Sequence, residues 1–127
     1  MAIYDVMDLK VYNRALMALK LVYKIVYQTP ESHYKLRSQI VSSAESIPPL
    51  IAEGFAKRSS GKEFKRFLKM AMGSSDETIT HTREIYLLSE TVKRIDQNFC
   101  NQIIDEYKII SKQLNSLIKN WIDYNHV

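Results

Sequence analysis

Basic side chains are concentrated in one short stretch of the chain, between residues 57 and 69, where Glu63 is the only acidic residue. Arg guanidinium groups form paired hydrogen bonds with phosphate oxygens, and Lys ammonium groups attract phosphates as point charges. The stretch is therefore a candidate contact for a nucleic-acid backbone, without any readout of bases. The alternative is a solvated charged face, which is what most such runs are. The candidate residues are Lys57, Arg58, Lys62, Lys65, Arg66 and Lys69.

Residues that could bind a metal or perform catalysis are sparse. Glu77, His81 and Glu84 share a helical face, but di-metal bundles use two Glu-x-x-His pairs plus two further glutamates, and Glu77 and His81 are four apart with no second pair. Cys100 has no histidine near it in the sequence and is expected to be a packing residue. The chain has no RNP motif, glycine-rich phosphate loop, zinc-ligand spacing or GxSxG elbow. We therefore expect no enzymatic activity, no cofactor and no metal.

Two lines of polar residues run beside apolar stripes. One is spaced by seven and consists of Gln39, Ser46 and Glu53. The other alternates three and four and consists of Ser74, Glu77, His81 and Glu84. A solvated surface is one interpretation. The other is that the lines meet a second copy of the protein or face each other across a seam, where a carboxylate such as Glu53 needs a hydrogen-bond donor.

The bulk composition indicates a single folded domain spanning residues 1–127, with a net charge of +4 that favours polyanions only where the positive charge is clustered. Cys100 is the one cysteine, so no intramolecular disulfide can form. The N-terminus lacks the basic head and apolar run of a signal peptide. No uncharged apolar run approaches the roughly 20 residues that cross a bilayer. We expect a cytoplasmic protein that does not associate with membranes.

Hydrophobic periodicity predicts four long helices, and therefore an all-α fold. The first covers about 8–27, the second runs from a new start within 28–32 to about 55, the third from the Ser60 cap to 88, and the fourth from 94–97 to 121. Because the connections are short, sequence neighbours must run antiparallel, which gives an up-down-up-down four-helix bundle. The expected buried row of the first helix is Leu9, Tyr12, Leu16, Leu19, Tyr23 and Val26, with Val11, Ala15 and Val22 widening it.

Local signals predict how the second and third helices begin, bend and end. Pro48 and Pro49 lie inside the second apolar pattern, which keeps its phase across them, so we expect one kinked helix instead of two. Gly54 is positioned as a C-cap. Ser60 and Glu63 have the spacing of a capping box at the start of the third helix.

Residues 46–55, SIPPLIAEGF, and residues 73–77, GSSDE, resemble signature segments of the four-helix-bundle family encoded in 23S rRNA intervening sequences, SIxxxIAEG and GSxxE. The resemblance extends from residue 8 through residues 34–40 and becomes weak in the fourth helix. It implies a cyclic homo-oligomer, with pentamers among the family, in which Gln39, Ser46, Glu53, Ser74 and Glu77 contribute to a polar seam or subunit contact. Two positions depart from the pattern: Ser42 stands where relatives usually have Arg, and Leu50 where they usually have Asn.

These observations lead to one functional hypothesis and one alternative. The first is a non-enzymatic oligomer that binds rRNA or other structured RNA through the basic stretch, by shape and charge alone. The alternative is a protein-binding scaffold, similar to the accessory proteins of reverse transcriptases in diversity-generating retroelements. A basic rim on the surface favours the first, and a neutral, apolar groove favours the second.

Overall fold

The computed structural model describes residues 3–121, which form four long helices and no strand. These are α1 (Lys10–Gln28), α2 (Tyr34–Ala56), α3 (Gly61–Leu88) and α4 (Gln97–Asn120). Single 3-10 turns at Val6–Asp8 and Glu31–His33 precede α1 and α2. The prediction of an all-α fold with four helices is confirmed.

The helices pack in a closed ring that follows chain order. α2 packs on α3, α3 packs on α4, and α1 closes the ring by contacting both α2 and α4, whereas the backbones of diagonal helices do not approach each other. With short connections this is an antiparallel up-down-up-down bundle. The α2–α3 and α3–α4 interfaces are the more extensive ones. α1 is therefore the least embedded of the four helices.

The buried rows of α2, α3 and α4 follow the predicted periodicity. The largest side chains with almost no solvent exposure include Phe64, Tyr107, Ile47 and Leu114, which belong to a single hydrophobic cluster along the bundle axis. Burying each side chain of this size is worth about 1.5–3 kcal/mol, so this cluster is the main source of stability.

The predicted buried face of α1 was wrong in part, since Leu9, Val11, Ala15 and Val22 are buried as expected but other members of the row are not. Its buried row is Val11, Ala15, Ala18, Val22 and Ile25. Leu16 and Tyr23, which were expected to lie in the core, are 40% and 47% exposed. Apolar residues are spread so widely around α1 that periodicity alone does not choose between adjacent faces. The structure buries the face that carries Ala15 and Ala18 against α2 and α4.

α2 continues without interruption through Pro48 and Pro49, as predicted for one helix. The prediction for Gly54 was wrong: the helix extends to Ala56, Gly54 is buried inside it, and its φ is not positive. A Cβ atom built at Gly54 would lie 2.6 Å from the Cβ of Phe67. Gly54 is thus required by the close crossing of α2 and α3, not by a helix end.

Side-chain caps define the starts of the later helices. The Ser60 hydroxyl accepts from the Glu63 backbone N–H at 3.2 Å, and the Asp96 carboxylate accepts from the Phe99 N–H at 3.2 Å. The other half of the predicted capping box at Ser60, a bond from its N–H to the Glu63 side chain, does not form, because this N–H donates to the Lys57 carbonyl. No helix in the described part of the chain is long and apolar enough to span a membrane.

Candidate nucleic-acid interface

The basic stretch lies where α2 turns into α3. The Lys57 and Arg58 backbone N–H groups donate to the carbonyls of Gly54 and Phe55, and the Ser60 N–H donates to Lys57. These bonds form a compact connection that leads directly into the Ser60 cap. The basic patch, defined as Lys57, Arg58, Lys62, Lys65, Arg66 and Lys69, is therefore displayed on a rigid corner of the bundle.

Two aromatic rings hold part of the basic patch in place. The Lys57 ammonium lies 4.8 Å from the centre of the Phe67 ring, and the Arg66 guanidinium lies 4.7 Å from it. The Arg58 guanidinium stacks 4.0 Å from the centre of the Phe55 ring and also donates to the Phe55 carbonyl at 3.0 Å. Such cation–π contacts restrict the side chains but leave their charges unneutralised.

One cation of the patch is paired within its own helix. Arg66 donates two hydrogen bonds to Glu63, from Nε at 3.0 Å and from Nη2 at 3.2 Å. This bond lowers the pKa of Glu63, with smaller effects from the positive charges of Arg66, Lys57 and Lys62. It raises the pKa of Arg66 for the same reason. The one carboxylate in the stretch is thus already committed to Arg66.

The remaining lysines are available to an external anion. Lys62 and Lys69 are exposed and Lys65 is half-buried, and none of the three is hydrogen-bonded or ion-paired to another described residue. Residues 57–69 hold six cations and one carboxylate, whereas the whole chain has a net charge of +4. The rest of the chain is therefore close to neutral, and the positive charge is clustered.

The predicted polar lines lie mostly at the surface. Gln39, Glu53 and Glu77 are exposed, so they take no part in a buried seam within this chain. Ser46 and Ser74 are half-buried: the Ser46 hydroxyl donates to the Ser43 carbonyl at 2.8 Å, and the Ser74 carbonyl accepts from Thr78 at 2.8 Å. Contact with a second copy remains a prediction.

A buried polar seam does exist, but it uses residues that the sequence reasoning did not single out as polar contacts. The hydroxyls of Ser43 on α2 and Thr78 on α3 are 2.9 Å apart. The Ser75 hydroxyl donates to the Tyr107 carbonyl of α4 at 3.0 Å, and the Ser111 hydroxyl lies 2.8 Å from Ser75. The position of Thr78 within the apolar row of α3 could have indicated a buried hydroxyl. Its partner, Ser43, could not be inferred from residue spacing.

The other candidate groups are engaged or inaccessible. His81 lies between two carboxylates, with Nδ1 2.6 Å from Glu84 and Nε2 3.7 Å from Glu77. Within residues 3–121, no three His, Cys, Asp or Glu residues form a group that could hold a metal ion. Cys100 is buried, and burial, reinforced by Asp96, raises the pKa of its thiol to about 11. A thiol with so little thiolate at neutral pH is a poor nucleophile.

Comparison with known proteins gives one result for the family and none among characterised relatives. A search of curated proteins finds no match to this chain. The profile of the family described as 23S rRNA-intervening sequence protein matches residues 7–116, which includes all of α1, α2 and α3 and most of α4. The match contains the basic patch, both polar lines and the buried hydroxyl seam. This chain belongs to the 23S rRNA-intervening sequence protein family.

Proposed function

We propose that this protein is a non-enzymatic, cytoplasmic RNA-binding protein whose basic patch contacts the backbone phosphates of structured RNA. The observation that carries the proposal is the clustering of the chain's positive charge at one corner, with Lys62, Lys65 and Lys69 unpaired in the described part of the chain. The family's name adds an association with 23S rRNA genes. Duplex RNA suits such a patch because its recognition depends mainly on shape and phosphate contacts.

The patch has two kinds of cation with different roles. Arg58 and Lys57 are held against aromatic rings and give the corner a fixed positive field. Lys62 and Lys69 lie on the same face of α3, seven residues apart, and extend that field about 10 Å along the helix. Lysines contact phosphates as mobile point charges and carry no base information. Binding is therefore expected to be salt-sensitive and largely independent of sequence.

We also propose that the protein acts as a homo-oligomer, with a cyclic pentamer as the family-based expectation. Gln39, Glu53 and Glu77 are exposed, and Glu53 has no hydrogen bond or ion pair with another described residue. A donor from a second copy would satisfy it. Repeating the basic patch around an assembly would raise RNA affinity through avidity. Light scattering should then give a mass several times 14.8 kDa.

The experiment is to replace Lys62, Lys65 and Lys69 together by Gln and measure binding to a structured RNA over a range of salt. Each lost phosphate contact should flatten the slope of log affinity against log salt by roughly 0.7–0.9. Arg58 and Arg66 are left in place because they contact Phe55, Phe67 and Glu63, so their replacement would disturb packing. Helix content should be unchanged.

The matched control replaces three exposed lysines of α4, Lys108, Lys112 and Lys119, by Gln. Net charge falls by the same amount, but the basic patch stays intact. The proposal requires that the control bind RNA nearly as well as the wild type. Equal loss in both variants would show that only net charge matters, and wild-type binding that does not respond to salt would remove the RNA proposal.

A protein-binding scaffold is the second candidate, favoured by the exposed apolar surface of α1. Met17 is 59% exposed and Tyr27 85% exposed, beside the 40% and 47% exposed Leu16 and Tyr23. Tyr12, Leu16 and Leu19 line a groove between α1 and α2 together with Pro48 and Pro49. An exposed apolar patch of this kind typically marks a protein contact. Replacing Leu16 and Met17 by Ser should abolish partner binding while leaving RNA binding intact.

A further inference from the structure

Nothing in the described part of the chain requires a glycine at position 73. It lies in the middle of α3 and is exposed, and a Cβ atom added there would meet nothing within 4 Å. Glycine inside a helix is less favourable than alanine. This contrasts with Gly54, whose missing side chain is explained by Phe67. The missing side chain of Gly73 therefore points to a molecule outside the chain that approaches the helix closely.

The whole face of α3 centred on Gly73 is exposed. At 100° per residue, the residues within about 60° of Gly73 are predicted to be its neighbours. Those neighbours are Lys62, Arg66, Lys69, Met70, Asp76, Glu77, Thr80, Glu84, Leu87 and Leu88, and all are exposed except Leu88 at the end of the helix, which is half-buried. The other helices leave this face open, and α4 reaches only its edge, where the Ser111 hydroxyl donates to the Asp76 carboxylate at 2.7 Å.

The charge on this face changes sign at Gly73. Its charged residues before Gly73 are all cations, and those after it are all carboxylates. Lys69 and Glu77 are each four residues from Gly73, and Lys62 and Glu84 are each eleven residues from it. The face is thus complementary to itself in the antiparallel orientation. In the parallel orientation like charges would face each other.

We propose that α3 is a two-fold interface, in which a second copy of this chain packs antiparallel on the exposed face with Gly73 at the symmetry axis. Lys69 of each copy then faces Glu77 of the other, and Lys62 faces Glu84. Such an interface is isologous, as two-fold contacts between identical subunits are. Gly73 lets the two helix backbones approach at the crossing point.

The contacts already made within the chain agree with this arrangement. Arg66 is paired with Glu63, and the residue that it would face, seven positions beyond Gly73, is the uncharged Thr80. Lys62 and Lys69, which lack an ion-pair partner among the described residues, face carboxylates. Glu84 uses one oxygen for His81 at 2.6 Å, which leaves the other for a lysine.

The interface does not depend on RNA binding, but it shares residues with the basic patch. Lys62 and Lys69 cannot pair with a second copy and contact phosphates at the same time. Self-association through α3 would therefore compete with RNA. It also engages Glu77 and Glu84 of the second polar line, which leaves the line of Gln39, Ser46 and Glu53 for any ring contact.

The test is charge reversal, with mass measured by light scattering and sedimentation at low salt without RNA. Lys69→Glu and Glu77→Lys each place like charges across both symmetry-related positions, and each should weaken association on the order of tenfold or more. The double variant Lys69→Glu/Glu77→Lys restores opposite charges and should restore association. Mixing the two single variants should give a heterodimer, because one carries two carboxylates and the other two lysines.

Two further variants separate this interface from general effects. Lys108→Glu makes the same charge change on α4 and should associate like the wild type. Gly73→Gln puts bulk at the crossing point and should reduce association while helix content is retained, since the site is open in the monomer. The proposal would be overturned if the double variant Lys69→Glu/Glu77→Lys associated as weakly as the single variants. It would also be overturned if high salt did not reduce the association of the wild type.

Discussion

Replacing Gly54 by alanine should destabilise the bundle, although alanine is the better helix former. The added Cβ would lie 2.6 Å from the Phe67 Cβ, 3.2 Å from the Phe64 Cδ1 and 3.3 Å from the Phe64 carbonyl oxygen. The closest of these atoms is attached directly to the α3 backbone and cannot rotate away. Relief requires that α2 and α3 move apart where their crossing is closest.

The expected size follows from two opposing contributions. Overpacking a well-filled core costs about 1–3 kcal/mol. The helix propensity of alanine recovers about 0.5–1 kcal/mol of that. We expect a net loss of roughly 1–2 kcal/mol in the free energy of unfolding, which corresponds to a fall in Tm on the order of 4–8 °C.

Gly73→Ala is the matched control, because it makes the same chemical change in the same type of helix with nothing within 4 Å. It should raise stability by about 0.5–1 kcal/mol. Both variants are compared with the wild type by urea unfolding at high salt, which screens charge pairs between subunits. A Gly54→Ala protein as stable as the Gly73→Ala protein would refute the close crossing as the reason for Gly54.

Two other predictions concern buried polar groups. Tyr107 is fully buried, its hydroxyl has no hydrogen-bond partner among the described residues, and burial raises its pKa. Because the phenol ionises more easily in the unfolded chain, the stability of the folded protein is unaffected by this group below pH about 10 and falls as pH rises above that value. Tyr107→Phe should be at least as stable at neutral pH and should lose less stability in alkaline urea titrations; an unchanged alkaline profile would contradict this. Breaking the Ser43–Thr78 hydrogen bond by Ser43→Ala should cost about 0.5–1.5 kcal/mol, because Thr78 keeps its bond to the Ser74 carbonyl, and adding Thr78→Val should cost less than the two single changes together. Additive losses in a double-mutant cycle would show that the two hydroxyls are not coupled.

Much of the fold could be predicted because the signals were local. The 3.6-residue rows of α2, α3 and α4 located their buried faces. Ser60 indicated where α3 begins, since a cap needs only an oxygen at the right offset. The predictions for Gly54 and for part of the α1 face failed because they depended on tertiary contacts. The role of Gly54 is set by Phe67, thirteen residues away, and the buried face of α1 is set by which of its apolar residues meet α2 and α4.

The candidate site was predictable in composition but not in organisation. The six cations are evident from the sequence, because charge needs no fold to be counted. The sequence does not show which of the six cations are free. Three of them, Lys57, Arg58 and Arg66, are engaged by aromatic rings that the α2–α3 crossing brings together. The buried hydroxyl seam was missed because serine and threonine are common on helix surfaces, and a hydroxyl pair leaves no spacing signature.

The buried hydroxyls also determine the longitudinal register of the bundle. Aliphatic rows repeat every turn, so two helices packed by such rows alone could slide by about 5.4 Å and still bury comparable area. The Ser43–Thr78 contact and the bond from Ser75 to the Tyr107 carbonyl would both be lost by such a slide. Each hydrogen bond lost between helices costs about 0.5–1.5 kcal/mol. These few small side chains therefore make one alignment of α2, α3 and α4 distinct from its neighbours, and they keep the basic corner at a fixed place on the bundle.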